Sequence, residues 1–406
     1  MRFLNFVPKA LSFLCIFSST YSYNVTDEDN LIKDLFSNYN KELRAGSDRT
    51  YPVNVSIAFY LYAIKEFVES SSKFTVNGVF WTVWRDDRLS WDPTKYNNIT
   101  RIIVSQDKIW TPMLVNINPF KEVAGLRNYL VNIIVESDGS CKWTPMQSFD
   151  VICDADVTNY PFDKQYCMLK FHAYSLEEEC MNVTFRRSRV LLSNNESSKV
   201  ILSNYEESGL WKIKDTECYS QSSNRFSEVI IGLHLKRRSV YYIVGLILPM
   251  TFVSILQSFV FLLPNDSGER VGFSVTVLLA SVVFLTIIQG KLPESSEPNI
   301  SLLGLLLLGF ISEGTLVTLC VILSSNIHLS EESKPVPNWV KVVFCFKPTK
   351  ERDTNILKVA AGESSRKKAS ELCSWIHIAR KFDKLCFIIS LLLYATQIFI
   401  YFAIVL

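Results

Sequence analysis

The chain has 406 residues, a formal net charge of +2 and 48% hydrophobic residues. That length exceeds one ordinary soluble core and suits a soluble domain beside a membrane portion. The near-neutral balance argues against a global basic field for nucleic acid, and the chain carries no acidic tail.

Residues 1–22 open with Arg2 and Lys9, pass through an apolar run from Ala10 to Phe17 and end in small polar residues. This is the layout of a secretory signal, with cleavage expected near Ser22. The alternative is an uncleaved anchor, but the run falls well short of the ~20 residues a membrane span needs. The sequons at Asn24, Asn54, Asn98, Asn182 and Asn195 all precede the first long apolar run, as in a glycosylated lumenal segment. Asn265 and Asn299 also open sequons, the first on the side assigned below to the cytoplasm and the second against the membrane. An amphipathic helix is predicted near Glu28–Tyr39. From about residue 30 to 239, short runs of β-branched and aromatic residues alternate with Asn, Asp, Gly, Ser and Pro, which predicts an antiparallel β-sandwich. Val53–Leu61 and Val229–Leu235 are the clearest strands. This part holds Cys141, Cys153, Cys167, Cys180 and Cys218 in a disulfide-permissive compartment, and the odd count leaves at least one unpaired.

Four apolar segments follow at 241–263, 271–290, 300–324 and 385–406, each near the length of a membrane-spanning helix. The expected division is a sandwich over 23–239, three spans over 240–328, a connection over 329–384 and a fourth span over 385–406. The connection carries twelve Lys and Arg against seven Asp and Glu, which places it in the cytoplasm and both mature termini outside. Within it, Ser370–Lys384 reads as an amphipathic helix running into the fourth span, serving either as a lateral portal for ions or as a basic segment on anionic lipid. Pro249 predicts a kink in the first span.

The second span, 271–290, also carries Ser274, Thr276, Ser281, Thr286 and Gln289, which a helix facing only lipid has no use for. At three- and four-residue steps Glu269, Gly272, Thr276, Leu279, Val283, Thr286 or Ile287, and Gly290 fall on one face, graded from charged through small and hydroxylated to apolar. Several copies around an axis would turn each residue into a ring, with carboxylates selecting cations and Leu279 as the apolar gate. Arg270 should point off that axis and pack behind it. The competing explanation is bundle packing through hydroxyls and small residues.

The segment from Cys153 to Cys167 has thirteen residues between its cysteines and Tyr160-Pro161-Phe162-Asp163 near its centre. With four later spans, and with Trp84–Trp91, Ile109–Pro112, Arg237–Tyr242 and Leu263–Val271, it resembles the Cys-loop receptor family, most closely the nicotinic, cation-selective branch. The resemblance implies a membrane protein of β + α class: an extracellular β-sandwich followed by a four-helix transmembrane bundle, assembled as a homo- or heteropentamer of homologous subunits. It implies a Cys153–Cys167 disulfide, a small extracellular ligand bound between subunits, permeant cations, a lipid environment, and a plasma-membrane location such as a postsynaptic one. It also implies that Glu269 forms the selectivity ring and Leu279 the central gate. Gly290 stands where relatives often carry a charge. Coupling between sandwich and membrane is implied for Glu69, Arg237, Tyr160, Pro161, Phe162 and Pro293; a buried Glu69–Arg237 pair would be costly to break from one side.

Family members that bind quaternary amines enclose the cation with aromatic faces. Tyr174, Tyr219 and Phe226 match three of those rings, and Trp143 matches a position that faces the neighbouring subunit. Two positions depart: Ile117 and Val79 replace an expected tyrosine and tryptophan, and Gln221-Ser222 replaces the paired cysteines of acetylcholine-binding subunits. Three rings alone could also be core or strand-surface aromatics. Cys180 and Cys218 could form a second disulfide or stay two free thiols. A thinned cage leaves open another amine, protons, another ligand, or a non-conducting accessory role. No phosphate-cradling loop, nucleophile elbow or metal-spaced histidine pair is present, so no enzyme, cofactor or metal site is expected.

Overall fold

The computed structural model describes residues 24–123, 125–126, 131–174, 176–185, 199–264, 268–290, 300–330, 337, 340 and 375–405. The signal segment, Asn195, Pro293 and most of the 329–384 connection lie outside these residues.

Helix α1 (Val25–Phe36) starts on Asn24, whose side chain accepts from Thr26 N, and has Asp27 and Glu28 in its first turn, where acids favour a helix start. Eleven strands follow among the described residues. One sheet joins β3 (Arg101–Val104), β5 (Ile133–Glu136), β6 (Ser140–Trp143), β2 (Lys73–Arg85), β1 (Val53–Val68) and β9 (Met181–Phe185) in that spatial order, with β7 (Met146–Ile152) also on β2. The other runs β10 (Trp211–Ser223), β11 (Phe226–Arg237), β8 (Lys164–Ala173), β4 (Leu114–Asn116). Alternate residues of β1 and β8 point into the shared core, with Ile57, Phe59, Phe80, Phe149 and Phe171 at its centre. β11 alternates only at its ends and is buried on both faces from Ser227 to Leu233, because it lies between β10 and β8.

Among the described residues, four helices are long and apolar enough to cross a membrane: Val240–Leu262, Arg270–Gln289, Leu302–His328 and Trp375–Val405. In the first, a π-turn over Ile243–Ile247 precedes Pro249, which has no N–H with which to continue the ladder. The amphipathic segment runs into the fourth span as expected over the described residues. From Trp375 onward they form one continuous helix, so the basic stretch Arg380–Lys384 is rigidly attached to the span.

Candidate functional site

The joint between sandwich and spans is built on Arg237, the last residue of β11 and 3% exposed. Its Nη2 lies 2.6 Å from Glu69 Oε1, at the β1–β2 turn. Asp163 grips the same guanidinium with both oxygens, accepting from Nε at 2.7 Å and Nη2 at 3.0 Å, while Nη1 donates to Tyr242 Oη at 3.1 Å. The rings of Trp211, Tyr160 and Tyr242 lie 4.2, 4.8 and 5.1 Å from the guanidinium carbon. Burial alone would lower the arginine's pKa; hydrogen bonding and charge from Asp163, then Glu69, outweigh it and raise it above the ordinary value. The sequence reading found Glu69 but not Asp163, Trp211 or Tyr242. Asp163 stands inside the quoted Tyr-Pro-Phe-Asp motif, yet nothing in its spacing said which residue it would meet.

The Cys153–Cys167 bridge is formed, and the tip it encloses rests on the membrane helices. Tyr160 and Val157 pack with Ile247, Ile288 and Leu303, Phe162 meets the edge of Phe402, and Tyr401 Oη donates to Tyr160 O at 3.0 Å. Pro161 follows a cis peptide bond at the centre of that tip. The possible second disulfide is not formed: Cys180 and Cys218 are free thiols. Cys218 faces the sandwich interior, and burial pushes its thiol up to about 12.

The second span is two-faced in burial. Glu269, Gly272, Thr276, Leu279, Val283, Thr286 and Ile287 are exposed in the single subunit, Leu279 at 62%. Arg270, Ser274, Val277, Ser281 and Ile288 are buried against the other spans. The hydroxyls therefore divide. Thr276 and Thr286 remain on the exposed face, bonded to their own backbone, whereas Ser274 is pinned behind it by Thr318 and Gln257. Ser281 also turns inward, donating to Val277 O.

Strand register gathers the three predicted rings. Tyr219 pairs with Ile230, Phe226 with Ser223, and Glu228 with His172, so alternate residues put Tyr219, Phe226, Glu228 and His172 on one outer face, with Tyr174 just beyond the end of β8. Tyr174 is 58% exposed, and Phe226 stacks on His172 at 6.3 Å. Glu228, missed in the sequence, is buried on this face. It accepts from Gln221 Nε2 at 2.9 Å and lies 3.8 Å from His172 Nε2. Trp143 does not offer a ring to a neighbour. It is 1% exposed because its position in β6, opposite Thr82, turns the indole into the core. Val79 instead shares the outward face of β2 with Trp81, two residues along, and Tyr60 lies across from it. Asn24, Asn54 and Asn98 are exposed, and Asn182 sits half-buried beside Asn54 in register.

A β-sandwich joined through a buried ion cluster to the first of the membrane-length helices, and through the Cys153–Cys167 tip to others, defines a multi-pass membrane protein with a folded domain outside the spans. The neurotransmitter-gated ion-channel ligand binding domain model matches residues 28–239, and the neurotransmitter-gated ion-channel transmembrane region model matches 246–353. The acetylcholine receptor subunit alpha-1-B of Xenopus laevis is 30% identical over 350 residues, covering 84% of this chain and 74% of that protein. The neuronal acetylcholine receptor subunit alpha-6 of Mus musculus is 30% identical over 342 residues (82% and 66%). The acetylcholine receptor subunit beta-type unc-29 of Caenorhabditis elegans is 28% identical over 322 residues (78% and 62%), so the chain spans somewhat under two thirds of that relative. The chain belongs to the neurotransmitter-gated ion-channel family, as a Cys-loop subunit of the nicotinic receptor type. Members of this family are channels rather than enzymes.

Proposed function

We propose that the chain forms one fifth of a plasma-membrane cation channel, built from copies of itself or from homologous subunits, with its second span lining the pore and both mature termini extracellular. The observation that carries this is the exposed stripe from Glu269 through Gly272, Thr276, Leu279 and Val283, backed by a buried stripe that ties the helix to its own subunit. A helix fixed from behind, with hydroxyls and an acid on its free face, suits a water-filled axis better than lipid. Rings of Glu269 would repel anions at the inner mouth, and rings of Leu279 would close the pore by dewetting.

The same reading places a small amine on the outer face that carries Tyr174, Tyr219 and Phe226, with the buried Glu228 carboxylate beneath. With Trp143 in the core and Val79 lacking a ring, acetylcholine should bind weakly unless Trp81 of the neighbouring subunit closes the cage. That thinning is also what favours a second reading, an accessory subunit in a heteropentamer. Channels carrying Glu269→Lys should lose or invert cation preference in reversal-potential measurements, and Leu279→Thr should open at lower agonist concentrations. An unchanged reversal potential in a verified assembly containing E269K would overturn the pore assignment.

A further inference from the structure

A second arginine is buried at the other end of the spans. Arg270 follows Glu269 directly, yet the two side chains have opposite surroundings: Glu269 is exposed and Arg270 is 2% exposed. The Arg270 guanidinium reaches back past the first span, where Nε donates to Val260 O at 3.3 Å, to Asp383 on the fourth. There Nη1 donates to Asp383 Oδ2 at 3.2 Å, and Nη2 stands 3.2 Å from Oδ1. Ser324 of the third span donates to Asp383 Oδ1 at 2.5 Å, so three spans converge behind the inner end of the second.

We propose that Asp383 is a specificity-setting residue for permeation: by holding Arg270 behind the second span, it keeps a positive charge away from the Glu269 ring. The proposal rests on the reading of Glu269 as the selectivity ring. The argument is one of charge placement. Neighbouring residues on a helix are about 100° apart, so a guanidinium on a long flexible stem can reach either the bundle or the carboxylate beside it. An arginine stays charged and cannot escape burial by losing its proton, so it remains inside the bundle only where an anion receives it. Without the carboxylate of Asp383, the guanidinium moves toward the nearest water and the nearest acid, which is the mouth carrying Glu269. A ring of acids neutralised by a ring of arginines no longer repels anions. Asp383 lies in the helix that begins at Trp375 in the cytoplasmic connection, so a segment far from the axis in sequence sets the charge at the pore.

The test is reversal potential under a salt gradient, in conducting channels assembled from the full chain, alone or with homologous subunits. Asp383→Asn should lower the sodium-to-chloride permeability ratio several-fold and reduce single-channel conductance. The double variant D383N/R270Q, which removes the displaced charge along with its partner, should restore the ratio. Ser324→Ala, which keeps both charges but loosens the carboxylate, should give a smaller shift in the same direction and carries the test if D383N does not reach the surface. An unchanged ratio in D383N, or in S324A where that variant carries the test, overturns the proposal, as does a loss that the double variant fails to rescue. Glu269→Gln separates the two ideas: if E269Q lowers the ratio while D383N does not, only the role of Asp383 fails, and if E269Q changes nothing the selectivity ring itself is wrong.

Discussion

The two buried arginines mark the two ends of the membrane portion, and they are held in different ways. Arg237, at the sandwich, has two carboxylates, a tyrosine hydroxyl and three aromatic faces. Arg270, at the opposite end, has one carboxylate and one backbone carbonyl. The outer joint therefore carries a surplus of negative charge around its cation, while the inner joint is balanced one to one. A surplus makes the cation indispensable and each single acid partly replaceable; a one-to-one pair makes both partners indispensable. The family resemblance assigns coupling to the outer joint, and redundancy suits a joint whose two domains must stay attached. The inner joint has only to keep a charge in place.

The largest effect should come from removing the shared cation. Arg237→Gln strands the buried Asp163 and the half-buried Glu69 carboxylates and should cost on the order of 3–5 kcal/mol, seen as lost surface assembly or a large fall in thermal unfolding temperature of the solubilised receptor. Arg270→Gln strands one carboxylate, which keeps its Ser324 donor, so its cost should sit at the lower end of the range, about 3 kcal/mol. If R270Q were the more damaging, the surplus-versus-balance distinction would be wrong. Between the two acids at the outer joint, Asp163→Asn should cost about 2–3 kcal/mol and Glu69→Gln about half that, because Asp163 accepts two charge-assisted bonds where Glu69 makes one close contact, and is the more deeply buried. Equal losses would mean that the bidentate grip adds nothing.

Smaller still is Tyr401→Phe, which deletes the neutral hydrogen bond from the fourth span to the signature loop. It should lower stability by about 1 kcal/mol and reduce agonist efficacy more than agonist binding. The smallest effect lies far from both joints. The hydrogen bonds from Ser47, side chain first, hold the Asp87 carboxyl below the usual range. A folded pKa depressed in this way adds stability above the ordinary carboxylate value of ~3.9 that is lost as pH falls through the depressed one. Ser47→Ala should flatten that acid limb in unfolding curves recorded between neutral and strongly acidic pH, with little change in channel current.

Much of this architecture is legible in the amino-acid sequence. The apolar lengths of the spans, the β-branched and aromatic runs such as Val53–Leu61 and the cysteine spacing with its central motif are local patterns, and hydrophobic burial and backbone pairing read local patterns directly. The face of the second span carrying Gly272, Thr276, Leu279 and Val283 followed from helical periodicity, as did the prediction that Arg270 packs behind it. Less legible were choices between residues of equal propensity. Trp143 and Trp81 are both strand tryptophans, and only the sheet register decided that one is core and the other faces outward. Cys180 and Cys218 had the chemistry for a bridge but lie in an arrangement that leaves both free.

By itself, then, the sequence determined which segments would be strands and which would cross a membrane, because those outcomes depend on the pattern of apolar residues within each segment. Apart from the Glu69–Arg237 pair that the family resemblance implied, which charges would meet was decided by the tertiary structure. Arg237 finds Asp163 and Glu69, and Arg270 finds Asp383, across 74, 168 and 113 positions of chain respectively. Charge pairing inside a bundle depends on distance in space and on exclusion of water, and neither is written in the neighbourhood of a residue along the chain.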